Sequence, residues 1–279
     1  MSPLRGFFSV GNSFSVYFED MAYQKKYNPN RSAEWNYKGE KWKLSRSKID
    51  AFIECPRCFY LDNKLGTKRP STPAFTLNVA VDALFKSEFD TYRKEKKQHP
   101  LMKEYGIDAI PFAHADLDIW RDAFQGITYL HPETNLLVSG AVDDIWELSD
   151  GSLVVIDYKA TSKEGKIVTL DDSSWGEQYA RQVGVYQWLL RKNGFTVSDT
   201  AYFVYANGDA SKPSFENVLT FETTLVPTVG GTSWIEPTLH KIQSCLESPT
   251  YPQSGDACEY CPYREACGKK LQSLHVKTK

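Results

Sequence analysis

Apolar residues recur at helical spacing in some stretches of the chain and alternate in others, and the order of these textures outlines a fold. Beginning near Ser45 or Ser47, Ile49, Phe52 and Ile53 share one helical face, and Ser47-x-x-Asp50 resembles a capping box. Pro56 perturbs or restarts that helix. After the turn residues Gly66, Pro70 and Pro73, the positions Leu77, Val81, Leu84, Phe85, Phe89 and Tyr92 predict a longer helix with Pro73 in its first turn, ended at His99-Pro100. A further helix is predicted over 116–126. The texture then changes. Leu136 to Leu148 and Ser152 to Ala160 read as strands around a Ser149-Asp150-Gly151 turn. Ser174 to Lys192 reads as a helix, Tyr202 to Tyr205 and Ser214 to Thr223 as strands, and Pro237 to Leu246 as a last helix before a cysteine-rich tail. Helices ahead of a central sheet, with another helix crossing between strands, predict a mixed α/β fold. Residues 1–44 show no clean period and read as an N-terminal extension with a strand near Phe7 to Phe18.

The densest chemistry lies in Gly140-Ala-Val-Asp143-Asp144 and Ile156-Asp157-Tyr158-Lys159. A three-residue loop ending in a left-handed Gly151 pairs residues whose numbers sum to 300, which sets Asp143 opposite Asp157. Side chains so opposed have β-carbons about 4.5–5.5 Å apart. Alternation puts Lys159 on the face of Asp157. Two opposed carboxylates repel unless a cation lies between them, and such oxygen donors suit Mg²⁺ or Mn²⁺. A lysine beside the ion orients a water or helps deprotonate it. A two-residue turn at Asp150-Gly151 instead pairs Asp144 with Asp157. The first register is favoured because Val138, Val142, Trp146 and Leu148 then share an apolar face with Val154, Ile156 and Tyr158. The competing reading is a surface hairpin whose charges are solvated.

Composition narrows the class. Of the 279 residues, 41% are hydrophobic and 24% charged, as in ordinary globular proteins, with enough chain for one large domain or two modest ones. No apolar run approaches the roughly 18 residues of a membrane helix. The start carries only Arg5 as an n-region charge, so no leader and a cytoplasmic location are expected. The net charge of −2 is uninformative, but residues 41–69 and 264–279 are locally basic and 140–160 locally acidic. That pattern suits a metal site set in an anion-binding surface, with Lys41, Lys43, Arg46, Lys48 and Arg57 as candidate phosphate contacts.

Five of the six cysteines form two tight groups, Cys55 with Cys58 and Cys258 with Cys261 and Cys267; Cys245 reads as a core residue. In a long chain without an export signal, metal binding in a reducing compartment is favoured over disulfides. Two assignments are open: a four-thiolate Zn²⁺ site using both C-x2-C pairs, or a 4Fe–4S cluster using one cysteine of the first pair and all three of the tail.

Together these motifs resemble the RecB-like branch of the PD-(D/E)XK nuclease superfamily over roughly residues 45–268. Gly140-x-x-Asp143 and Ile156-Asp157-Tyr158-Lys159 are similar to its motifs II and III, and Arg181-Gln182-Val-Gly-Val-Tyr186 to its Q-x-x-x-Y helix. Ser45-x-x-x-Ile49 through Cys55-Pro-Arg to Phe59-Tyr60-Leu61 is similar to its opening helix. Cys258-x2-Cys261-x5-Cys267 is similar to the cysteine triad of its iron–sulfur members, which include AddB-type and CRISPR-associated adaptation nucleases. The resemblance implies a nuclease core with a central mixed sheet flanked by helices over residues 45–268, and a basic tail at 269–279. It implies metal binding by Asp143 and Asp157, action of Lys159 on the attacking water, and Gln182 and Tyr186 reaching the scissile strand from one helical face. Cys55 with Cys258, Cys261 and Cys267 would hold a 4Fe–4S cluster, leaving Cys58 as an extra thiol. A link across the 203 residues from Cys55 to Cys258 is worth on the order of 5 kcal/mol by loop-closure entropy. The branch often has a metal-binding histidine in an early helix; here Asp82 stands at that spacing, either as an oxygen ligand or as an ordinary surface acid. The implied activity is Mg²⁺- or Mn²⁺-dependent hydrolysis of phosphodiester bonds in single-stranded or end-containing DNA, with exonuclease and endonuclease modes both open. Other DNA-repair, CRISPR or phage proteins are candidate partners, and no membrane is. The alternative is a catalytically silent DNA-binding or scaffolding subunit.

Overall fold

The computed structural model describes residues 28, 30–70, 75–170 and 174–275. The expected strand near Phe7 to Phe18 and the helix start at Pro73 lie outside them. After a short 3-10 turn at Ala33–Trp35 come β1 (Leu44–Ser45), α1 (Arg46–Glu54), α2 (Pro56–Asn63), α3 (Thr76–Glu95) and α4 (Pro100–Glu104). Next are β2 (Ala109–Pro111), α5 (Leu117–Arg121), β3 (Ile127–His131), β4 (Leu136–Gly140), β5 (Asp144–Leu148) and β6 (Leu153–Thr161). The chain continues through α6 (Ser174–Lys192), β7 (Thr200–Gly208), β8 (Phe221–Val229), α7 (Ile235–Glu247) and α8 (Tyr260–His275). No helix among the described residues is long and apolar enough to cross a membrane.

Among the described residues the strands form two sheets, ordered β2-β5-β6-β7-β8 and β1-β4-β3. In the larger one β6 and β7 run parallel and the other pairs antiparallel. A parallel neighbour needs a crossover, and α6 supplies it. Residues Leu153 to Tyr158 are buried on both faces. Trp146, Val154, Ile156 and Tyr158 face Phe89 of α3 and Met102 of α4, with the Phe89 and Trp146 rings stacked at 5.4 Å. Ile145, Leu153 and Val155 join the core that holds Val183, Leu189 and Leu190 of α6. That helix is wedged between the sheets, against β6 and β8 on one side and β3 and β4 on the other. Wrapped in this way, it is buried nearly all round in its second half, as a helix apolar on several faces must be. The N-terminal segment contributes to the same core through Trp42 and Leu44.

The β5–β6 hairpin has the register that sums to 300, with Asp144 opposite Ile156 and Trp146 opposite Val154, and Gly151 has φ +80°. The single strand expected over Leu136–Leu148 is instead broken at 141–143, and its halves enter different sheets. The Val142 N–H donates to the Trp120 carbonyl at 3.1 Å, and Arg121 Nε donates to the Asp143 carbonyl at 3.1 Å. These bonds take up backbone groups that a continuing strand would pair. Val138 and Val142 consequently lie in the α6 core and not beside Trp146. Other boundaries shift too. Ile53, Leu77 and Leu84 are exposed, and α1 is capped at Ser45 without the expected box. The helix expected over 116–126 stops at Arg121, and the strand expected at Ser214–Thr223 lies at Phe221–Val229.

Fully buried Asp144 ties this region together. It pairs with Arg93 of α3 and with Arg121 of α5 at 2.9 Å, and accepts from Tyr158 Oη at 2.7 Å and its neighbour's Ile145 N–H at 2.8 Å. Removing one partner of such a network leaves buried charge uncompensated, at a cost of about 3–5 kcal/mol. Asp144→Ala is therefore expected to lower unfolding stability by that order in urea titration. An unchanged midpoint would show that the network contributes nothing.

Candidate functional site

The break after β4 sets Asp143 at the mouth of the hairpin, one residue before β5 and in line with Asp157. Asp143 Oδ2 accepts the Tyr158 N–H at 2.9 Å. Asp157 points the other way through the sheet from Tyr158, toward α6, and is wholly buried. It accepts from Gln182 Nε2 at 2.6 Å and pairs with the Lys159 ammonium. Gln182 Nε2 also reaches Tyr186 Oη at 3.1 Å. One turn of α6 thus delivers both side chains to one face. Gly140 makes room for them: a β-carbon there would meet the Tyr186 ring at 2.8 Å and Leu189 at 3.0 Å.

Burial pushes the Asp157 carboxyl up to about 7; the Asp143 charge adds to this, while Lys159 and Arg46 oppose it. Lys159 stays charged. Burial pulls it down, but Asp157 and Asp143 together outweigh that and raise it, and its ammonium lies 4.7 Å from the Tyr179 ring centre. Arg46, on α1, pairs with Asp50 at 2.6 Å, and its charge also acts on Tyr186 and Asp157.

Asp82 reaches the same place from α3. Its carboxyl is raised by burial and by the charge of Asp143. Lys86 lies between them, 2.8 Å from Asp82 and 3.6 Å from Asp143. A cavity of about 840 Å³ opens here, lined among others by Arg46, Asn78, Asp82, Lys159, Tyr179 and Gln182. Asp82, Lys159 and Gln182 thus line one cleft, and Asp143, Asp157 and Tyr186 are bonded to or adjoin them behind it. Oxygen donors of this kind are the chemistry of a hard divalent cation. Among the described residues, however, only the cysteines form a group of three or more ligating atoms within 4.8 Å of one another. Two ammonium groups stand among these carboxylates.

The other expected phosphate contacts are engaged elsewhere. Lys41 pairs with Glu34 and Arg57 with Glu265, and Lys43 and Lys48 donate to backbone carbonyls. Gln178 donates to Glu54 at 3.1 Å. Sequence reasoning missed Lys86, the ion pair of Asp50 with Arg181 at 2.8 Å, and the Asp144 network. For Asp50 a signal existed, since Arg46 stands four residues before it on a helix.

At the far end of α1, Cys55, Cys58, Cys258 and Cys261 form a buried group whose sulfurs all lie within 4.8 Å of one another. The set expected from the resemblance had Cys267 in place of Cys58. Here Cys58 is inside, and half-buried Cys267 is outside, beside Tyr263. The cause is local. Pro56 starts α2 so that Cys55 caps it and Cys58 falls in its first turn on the same side. Cys267 sits well along α8, an element the sequence reading left as tail. Cys245 is half-buried against the main core.

A mixed sheet carries a buried Asp157 and a partly buried Lys159 on one strand, a second Asp at the neighbouring strand's mouth and a Gln on the crossover helix. The chain belongs to the PD-(D/E)XK nuclease superfamily, whose family model matches residues 77–268. No curated protein sequence matches it significantly. Among solved structures, the crystal structure of SSO0001 aligns over 75% of this chain and 79% of that one at 10% identity, with a TM-score of 0.29, too low to bear on the fold or the site.

The Gly140 contact gives a direct check. Gly140→Ala overpacks the Tyr186 ring and is expected to cost about 1–3 kcal/mol in stability. Gly140→Ala/Tyr186→Leu should recover part of that loss in a double-mutant cycle. Additive losses would mean that the two positions do not press on each other.

Proposed function

We propose that this protein is a divalent-metal-dependent deoxyribonuclease of the RecB-like branch, acting on single-stranded or end-containing DNA. The observation that carries the reading is the bonded Asp157–Lys159–Gln182 group, coupled to the charge of Asp143, with Lys159 and Gln182 lining an open cleft. Asp143 and Asp157, joined by Asp82, would hold Mg²⁺ or Mn²⁺, which when bound supplies Lewis acidity toward the phosphate and a more acidic water. The chain's own residues do the rest. Gln182 holds one Asp157 oxygen and Lys159 pairs with the other, so the carboxylate is fixed in one orientation. Lys159, held charged by two carboxylates, orients the attacking water and stabilises negative charge on the phosphoryl oxygens as attack proceeds. Arg46 places a further positive charge at the cleft wall for the scissile phosphate.

One feature favours the second reading, a silent DNA-binding or scaffolding subunit: Asp82 is already satisfied by Lys86. The same assay decides both. Purified protein should degrade linear single-stranded DNA with Mg²⁺ or Mn²⁺ and stop with EDTA. Closed circular single strands should resist if an end is required. Lys159→Ala should cut the rate about 10²-fold or more while sparing metal affinity, and Asp157→Ala should lose both. Wild-type protein as inert as Lys159→Ala, yet still retarding DNA in a gel, would establish the silent subunit. Asp82→Ala tests the third ligand: weakened metal affinity by calorimetry is expected, and unaltered affinity would remove Asp82 from the metal site. Protein partners from DNA repair, CRISPR or phage systems, and a cytoplasmic setting, accompany this reading. Its iron–sulfur element requires Cys267, which stands apart from the buried four.

A further inference from the structure

The four buried sulfurs are spaced for one ion. We propose that Cys55, Cys58, Cys258 and Cys261 bind a single structural Zn²⁺ as a closed tetrathiolate, and that Cys267 takes no part. Sγ of Cys55 lies 3.7 Å from Cys261, Cys58 lies 3.7 Å from Cys258, and Cys58 lies 3.5 Å from Cys261. A tetrahedron with Zn–S bonds of about 2.3 Å has edges of about 3.8 Å. In a 4Fe–4S cluster each thiolate binds a different iron at a corner of a cube. The sulfurs must then stand wider apart than any pair in this group.

Helix geometry excludes the alternative ligand. Cys267 is six residues beyond Cys261 in α8, which is about 9 Å of rise and about 240° of net rotation. It therefore leaves the helix on another flank. The two C-x2-C pairs, by contrast, face each other as two knuckles, each at the start of a helix. No ligand position opens to water, as suits a structural ion and not a catalytic one.

The surroundings match the charge of such a centre. Four thiols release four protons on binding Zn²⁺, leaving a complex of net charge −2. Two guanidinium groups meet it. Arg264 Nη2 lies 3.3 Å from both Cys58 and Cys261 Sγ, and Arg69 Nη2 lies 3.9 Å from Cys258 Sγ. The N–H groups of Gly255 and Cys58 donate to Cys55 Sγ at 3.3 and 3.4 Å. Gly255 makes that approach possible, because a β-carbon there would lie 2.0 Å from the Glu54 carbonyl oxygen.

The test uses full-length protein purified anaerobically from cells supplied with both iron and zinc. Elemental analysis should give one zinc per chain, no iron and no acid-labile sulfide. X-ray absorption should show four sulfurs at about 2.3 Å and no metal neighbour. Cys267→Ser should keep its zinc in full, and Cys58→Ser should retain at least tenfold less after dialysis against a chelator. Because Cys58→Ser can fail to fold, the decision rests on wild type and Cys267→Ser. Iron with sulfide, a lone iron, loss of metal in Cys267→Ser, or metal-free protein that takes up no added zinc would each overturn the proposal. None of these readouts depends on nuclease activity.

Discussion

Asp157 is a carboxylate removed from water and placed beside a second one, and much of the surrounding architecture answers that arrangement. A buried charge is tolerated only when paired and hydrogen-bonded. Here β6 brings Lys159 to the same face, α6 brings Gln182, and α1 brings Arg46. Each element is fixed by ordinary apolar packing on its other sides. The sheet strand, the crossover helix and the opening helix are thus held in register by one polar group that none of them satisfies alone.

The same logic recurs one residue from Asp143. Asp144 is equally buried, faces the opposite side and is neutralised by two arginines in place of a lysine. Adjacent aspartates therefore have separate settings: Asp143 is partly exposed and held by the Tyr158 N–H and Lys86, and Asp144 is fully committed to joining α3, α5 and β5. A substitution at either position reads out a different property of the molecule.

How much of this was legible in the sequence depended on whether the deciding contact was local. The hairpin register was, because alternation and a glycine at the turn are both written within a few residues. The extent of α6, and the pairing of Gln182 with Tyr186 on one face, were legible for the same reason. The break at 141–143 was not: Ala141 and Val142 continue the strand texture, and what interrupts it is the Trp120 carbonyl and the Arg121 side chain, supplied from another element. The four cysteines in the buried group divided along the same line. Each C-x2-C pair was visible, but the exclusion of Cys267 depends on α8 continuing as a helix past it. Lys86 carried no signal, since a lysine four residues after an aspartate is common on any exposed helix.

That break has a mechanical meaning. Asp143 rides on the link between two sheets, whereas Asp157 is anchored within one of them, and α6 fills the wedge between. The Asp143 carboxylate nevertheless accepts the Tyr158 N–H, the backbone next to Asp157, so the separation of the two carboxylates is set within the hairpin. The link itself is clamped to α5, by Arg121 on the Asp143 carbonyl and by the Trp120 carbonyl on the Val142 N–H, so the crossing between the sheets carries anchors separate from those that hold the acidic pair.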